Sequence, residues 1–140
     1  MTHEQKMQLI TVAAAARKNA RVVKSGFHVG AALITRDGTI IDGCNVEMDN
    51  ILMSICAERC AVCKAVSMGY VDFEAIAVVS DSAKPVAPCG ICRQFLIDFG
   101  RDITVIMANA TGDCVVESSA ETLMPMAFTS SSKILDGEID

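Results

Sequence analysis

Apolar positions fall in short bursts along this chain, and their spacing changes from helical to extended and back. Thr2 and Gln5 stand three apart, the spacing of a capping box, and Met7, Ile10, Ala13 and Ala14 follow at helical spacing. They predict a first helix from about Thr2 to about Asn19, with a loop at Ser25-Gly26. Residues 28–36 (HVGAALITR) and 39–47 (TIIDGCNVE) read as two strands joined by a hairpin turn at Asp37-Gly38. Residues 56–68 (CAERCAVCKAVSM) carry no breaker and stop at Gly69, so they predict a second helix. The runs 73–79 (FEAIAVV) and 103–108 (ITVIMA) are apolar almost throughout, as in strands covered on both faces. Between them, after Pro88, residues 90–99 (GICRQFLIDF) predict a helix ending at Gly100. A turn at 109–113, a strand at 114–117 (CVVE) and a short helix from Ala120 to the break at Pro125 complete the pattern. The polar residues 129–140 are expected to form a mobile tail. Helices alternating with buried strands predict an α/β fold, a three-layer α/β/α sandwich around one mixed sheet of about five strands.

Composition narrows this picture. A length of 140 residues with no linker or repeat suits one domain over 1–140. Aromatic residues make up 4% and Trp is missing, so the core must rest on Val, Ile, Leu, Met and Ala. The net charge of −5 and the lack of a basic run disfavour a nucleic-acid partner and favour a small neutral substrate. Met1 leads into Thr-His-Glu-Gln-Lys with no apolar signal region, and no apolar run approaches the roughly 20 residues of a membrane helix. The expectation is a cytoplasmic protein, without a membrane partner, whose seven cysteines stay reduced as metal ligands or packing residues.

The chemistry is concentrated in Cys56-Ala57-Glu58 and Pro88-Cys89-Gly90-Ile91-Cys92. Both segments open predicted helices, whose N-terminal partial charge favours thiolate over thiol. The C-x-x-C spacing lets two sulfurs reach one ion from a single turn. With Cys56 they make three ligands, leaving a fourth position for water. Glu58, two residues after the first ligand, can reach such a water without ligating the metal. This order is the signature by which zinc deaminases are known, here in the three-cysteine form. A competing set exists. Cys60 and Cys63 form a second C-x-x-C, which with Cys89 and Cys92 would make a closed, non-enzymatic four-cysteine zinc site. Their spacing from Cys56 inside a helix is instead that of a packed stripe. Cys44 and Cys114 read as small core residues in strands. His28, opening a strand, reads as structural, and His3 lies in the fraying N-terminus.

From Phe27-His-Val-Gly-Ala-Ala-Leu to Leu123-Met-Pro-Met-Ala-Phe128 the chain resembles the small homotetrameric, zinc-dependent cytidine deaminases. Gly43-Cys-Asn-Val-Glu47, Ile55-Cys-Ala-Glu-Arg59 and Pro88-Cys-Gly-Ile-Cys-Arg-Gln94 carry that resemblance in order and spacing. It implies hydrolysis of cytidine or deoxycytidine to the uracil nucleoside and ammonia, one zinc ion per chain, and a homotetramer. It implies that Glu58 moves the protons and that Asn45 and Glu47 bond the ribose. It places Phe27 near the pyrimidine and the Ala57 backbone at the base edge, with Phe128 contributed to a neighbouring subunit's site. Arg59 and Arg93 are candidates to hydrogen-bond the ligand sulfurs and offset their charge. The chain departs from the family where Asn-Val-Glu-Asn-Ala-Ser-Tyr-Gly is replaced by Asn45-Val-Glu-Met-Asp-Asn-Ile-Leu52, and where Pro-Tyr-Ser is replaced by Val23-Lys24-Ser25. These segments belong to the sugar end and the subunit contacts. They leave open a deaminase of aminonucleoside antibiotics, of the blasticidin S type, beside the plain nucleoside enzyme. A deaminase acting on bases in RNA or DNA is a further rival, which the acidic charge and short length oppose.

Overall fold

The Thr2 capping box forms as its spacing predicts. Gln5 N–H donates to the Thr2 hydroxyl (3.1 Å) and Thr2 N–H to the Gln5 side chain (2.9 Å), starting helix α1 over His3–Arg17. The computed structural model describes residues 1–130, so the tail expected over 129–140 lies, from residue 131 on, outside the described residues. Strands β1 (Val29–Thr35) and β2 (Ile40–Cys44) form the hairpin, with Gly38 at φ 93° in its turn. Helix α2 spans Ala57–Ser67, β3 Phe73–Ser80, α3 Gly90–Ile97, β4 Thr104–Asn109, β5 Val115–Ser119 and α4 Ala120–Leu123. A 3-10 turn at Ile51–Met53, started by the Asn50 side chain accepting from Leu52 N–H (3.2 Å), has no counterpart in the sequence reading. Beyond Cys44 the second strand leaves the ladder, and Val46 makes isolated bridges to Arg21 and Ile55.

The sheet order is β2-β1-β3-β4-β5, with β3 and β4 parallel and every other neighbouring pair antiparallel. Successive side chains point to opposite faces. Ala32, Ile34, Ala75, Ala77, Val79, Ile106 and Ala108 meet Leu9, Ile10 and Ala13 of α1 on one face. Ala31, Leu33, Ile76, Val105 and Met107 meet Ala57, Ala61, Val62 and Ala65 of α2 and Leu96 and Ile97 of α3 on the other. This is the three-layer sandwich around a mixed five-stranded sheet, and it explains why β3 and β4 are apolar throughout.

Two glycines set the layer spacing. A Cβ at Gly30 would stand 1.9 Å from the Ala13 carbonyl oxygen, and one at Gly43 would stand 2.5 Å from the Ala61 nitrogen and 2.8 Å from the Ala57 oxygen. Backbone therefore packs on backbone, and β2 fixes the first turn of α2. Several cysteines depart from expectation. Cys114 is exposed in the turn before β5 rather than buried in a strand, because β5 is an edge strand whose own first residues are exposed. Cys44 is half-buried at the end of β2. Cys63 is exposed and Cys60 half-buried, because the stripe that α2 buries is Ala57, Ala61, Val62 and Ala65.

Candidate active and metal site

Cys56 and Cys89 are the N-cap residues of α2 and α3, and neither side chain caps its helix. Both sulfurs are therefore free to turn away from their own helices. The two helix starts bring Cys56, Cys89 and Cys92 together, with their sulfurs within 4.8 Å of one another and Cys56 and Cys89 at 3.7 Å. Thiolates at about 2.3 Å from a tetrahedral zinc stand roughly 3.8 Å apart, so the triangle is of the size such an ion needs. Cys60 and Cys63 stand outside this cluster, which removes the four-cysteine alternative among the described residues.

The three sulfurs of the triangle differ in their surroundings. Cys56 is held well below the ordinary thiol range by hydrogen bonds from Cys92, Arg59 and Cys89. Cys92 is pushed up by its bond to Cys56 and by burial. Three sulfurs converging in one triangle are the donor set of a soft dication such as Zn²⁺, whose binding would displace the remaining thiol protons. Arg59 offsets part of the sulfur charge, with Nη2 3.4 Å from the Cys56 sulfur, a contact that holds the guanidinium charged. Arg93 does not reach a sulfur, contrary to expectation. Its Nε donates to the Pro88 carbonyl (2.7 Å) and its Nη1 to the Leu123 carbonyl (3.0 Å), so it braces the loop that presents Cys89.

Glu58 is 5% exposed, in the first turn of α2, with its carboxylate 3.8 Å from the Cys92 sulfur. Burial raises its pKa, and the nearby Cys56 thiolate adds to that effect. A cavity of about 180 Å³ opens beside it, lined by Val29, Asn45, Cys56, Ala57, Glu58, Val78, Ser80, Val86, Ala87 and Cys89. The Ala57 amide belongs to the helix's unsatisfied first turn. Asn45 lines the cavity while its side chain bonds Val29 N–H (2.8 Å) and the Phe27 carbonyl (2.9 Å). Glu47 does not line it. Its buried carboxylate accepts from Lys24 N–H (3.0 Å), Ser25 N–H (2.9 Å) and the Ser25 hydroxyl (2.6 Å). Phe27 and Phe128 are 38% and 79% exposed, and neither lines the cavity. Gln94 holds the Phe128 main chain at both its N–H (3.0 Å) and its carbonyl (2.9 Å). The sequence reading missed Val29, at the start of β1, and Val78, Ser80, Val86 and Ala87. For the last four the only signal was position at the carboxyl end of a buried strand and in the loop before Cys89.

The arrangement can hold a metal through three sulfurs, place a buried acid beside it and enclose a small ring. Residues 3–108 match the family described as cytidine and deoxycytidylate deaminase zinc-binding region. A cytidine deaminase of Sporosarcina psychrophila is 46% identical over 123 residues, covering 87% of this chain and 90% of that protein. A blasticidin-S deaminase of Bacillus cereus is 36% identical over 110 residues, covering 73% and 77%. The crystal structure of a cytidine deaminase from Burkholderia pseudomallei superposes with a TM-score of 0.84 at 44% identity, covering 91% of this chain and 100% of that one. The match across more than half of the chain, with the same helix starts meeting at one sulfur cluster, makes this chain a member of the cytidine and deoxycytidylate deaminase zinc-binding family.

Proposed function

We propose that this chain is a hydrolase that deaminates cytidine and deoxycytidine, taking up water and releasing ammonia. The observation that carries this reading is Glu58, a buried acid 3.8 Å from the Cys92 sulfur at the wall of a cavity that also exposes Cys56 and Cys89. Cys56, Cys89 and Cys92 would hold one zinc ion per chain, and zinc supplies a water nucleophile acidified towards neutrality. Glu58 accepts a proton from the attacking water and delivers it to N3 of the pyrimidine, which makes C4 electrophilic. Glu58 then takes the second proton of that water from the new C4 hydroxyl and passes it to the amino group, so that C4=O forms as the C4–N bond breaks and ammonia leaves. Its burial suits both steps, because a carboxyl whose pKa is raised holds a proton more readily than an exposed one and can still return it. The first-turn amide of Ala57 faces the base edge, and Arg59 spreads the sulfur charge. Val29 and Asn45 close one side, with Phe27 and Glu47 at the sugar end.

The reading extends to a cytoplasmic homotetramer acting on free nucleosides. Reduced thiolate ligands suit a reducing compartment. The charge of −5 opposes binding to a nucleic-acid backbone. The test is zinc analysis with a deamination assay on cytidine, deoxycytidine and blasticidin S. Turnover of the first two with one zinc per chain is expected. The likeness to a blasticidin-S deaminase and the replaced segment at Met48–Leu52 favour the antibiotic as the second reading. Turnover of blasticidin S alone would establish it.

A further inference from the structure

The segment from Phe27 to Val29 is held on both edges by side-chain oxygens that stand where backbone carbonyls belong. On the β2 side, Asn45 N–H donates to the Val29 carbonyl (3.1 Å), but Val29 N–H turns to Asn45 Oδ1 (2.8 Å). On the β3 side, Asp81 N–H donates to the His28 carbonyl (3.1 Å), but His28 N–H turns to Asp81 Oδ2 (2.8 Å). Each pair keeps one bond of a regular antiparallel ladder and replaces the other by a side chain. The replacement frees the main chain of β2 and β3 to part at this end of the sheet. The cavity lies there, lined by Val29 and Asn45 from one pair and by Ser80, the neighbour of Asp81, from the other.

Asp81 is itself fixed. Its Oδ1 lies 2.5 Å from Arg17 Nη1 at the last turn of α1, and its Oδ2 also meets His28 Nδ1 at 2.7 Å. Arg17 can reach it because β1 packs backbone to backbone on α1 at Gly30. Asp81 does not line the cavity, so it has no direct contact to offer a substrate. We propose that Asp81, held by Arg17, is a positioning residue that fixes the Phe27–Val29 segment and through it the Val29 wall of the pyrimidine pocket, as Asn45 does from the opposite edge. The claim rests on the deaminase reading for its kinetic consequence.

The test compares zinc-loaded Asp81→Ala and Asp81→Asn with the unsubstituted enzyme. Asp81→Ala should raise KM for cytidine about tenfold, since a wall displaced by a fraction of an ångström misplaces the ring, while kcat stays within about threefold. Zinc content should be unchanged. Asp81→Asn keeps an acceptor for His28 N–H and should fall between the two, and it carries the test if the alanine variant does not fold. Amide hydrogen exchange at His28 and Val29 should quicken in Asp81→Ala. As a control, Arg36→Ala breaks surface ion pairs to Asp72 and Asp102 and should alter neither readout. An unchanged KM, a loss confined to kcat and zinc, or the same KM rise in Arg36→Ala would overturn the proposal. If the unsubstituted enzyme deaminates no cytosine nucleoside, the functional reading fails instead. Exchange at His28 and Val29 then decides for Asp81, with unchanged protection overturning its role and faster exchange supporting it.

Discussion

At the scale of single residues, Glu58 and Arg59 separate chemistry from scaffolding. A first-turn acid that served only the helix dipole would be worth a few tenths of a kcal/mol, and its loss would spare turnover. Glu58 is buried against the sulfur cluster, away from the solvent where a dipole partner usually stands. Glu58→Gln should therefore cut kcat by at least about 10²-fold with zinc retained, a measurement in which near-normal turnover would end the proton-shuttle assignment. Arg59 touches the Cys56 sulfur whereas Arg93 touches carbonyls. Arg59→Ala should lower turnover of the zinc-loaded enzyme more than Arg93→Ala does. The reverse order would mean that bracing of the Cys89 loop matters more than sulfur charge. These ligands and Glu58 were legible in the sequence because each set lies within one helical turn, where spacing alone dictates geometry. Arg93 was not, since the Leu123 carbonyl it reaches is 30 residues away. The contacts of Asp81 to Arg17 and His28 span 64 and 53 residues, and they depend on a strand order that local spacing does not encode.

At the scale of elements, alternation and helix stops fixed the strands and helices to within a few residues, because both depend on neighbours in sequence. The 3-10 turn at Ile51–Met53 escaped because its signal is one Asn50 side-chain bond amid exposed apolar residues. The seat of α2 rests on Gly43. Gly43→Ala would push a methyl into the Ala57–Ala61 backbone and should cost about 1–3 kcal/mol by thermal or urea unfolding. Activity should fall with it, since Cys56 and Glu58 ride on that turn. A neutral effect on stability would show that α2 can shift freely. The loop over residues 22–26 hangs on Glu47, whose pKa is lowered first by the Ser25 hydroxyl, then by the Ser25 and Lys24 amides and the His28 charge. A carboxyl lowered in the folded state adds stability that is complete above its ordinary pKa of about 4.3 and is lost as pH falls through the lower folded value. Thermal midpoints measured from neutral pH to about pH 3 should therefore converge between the parent and Glu47→Gln at the acid end, with the parent ahead at neutral pH. Parallel curves would show that the loop does not depend on the charge.

At the scale of the whole molecule, the cavity is small for a whole nucleoside. Its volume of about 180 Å³ falls short of the roughly 300–1,000 Å³ of ordinary ligand sites, which leaves the sugar to be received outside it. The chain also exposes apolar side chains. Leu52 and Met53 protrude from the 3-10 turn, and Met126 and Phe128 from a C-terminal segment locked to α3 through Gln94. Beside that lock runs a groove of about 600 Å³ lined by Gly90, Ile91, Gln94, Phe95, Asp98 and Phe99. Exposed apolar patches of this kind mark contact surfaces. In the proposed homotetramer these residues are the candidates to be buried between copies and to complete the site. Phe128→Ala should then weaken cytidine binding and raise KM while zinc content and the sulfur cluster stay intact. The resemblance puts a Tyr where Ile51 stands, and a hydroxyl there that bonded the ribose would be worth about 0.5–1.5 kcal/mol. Ile51→Tyr should recover part of that affinity for cytidine. Sedimentation equilibrium paired with the assay decides the matter. A fully active monomer, with Phe128→Ala indistinguishable from the parent, would mean that each chain closes its own site and that these apolar residues serve another purpose.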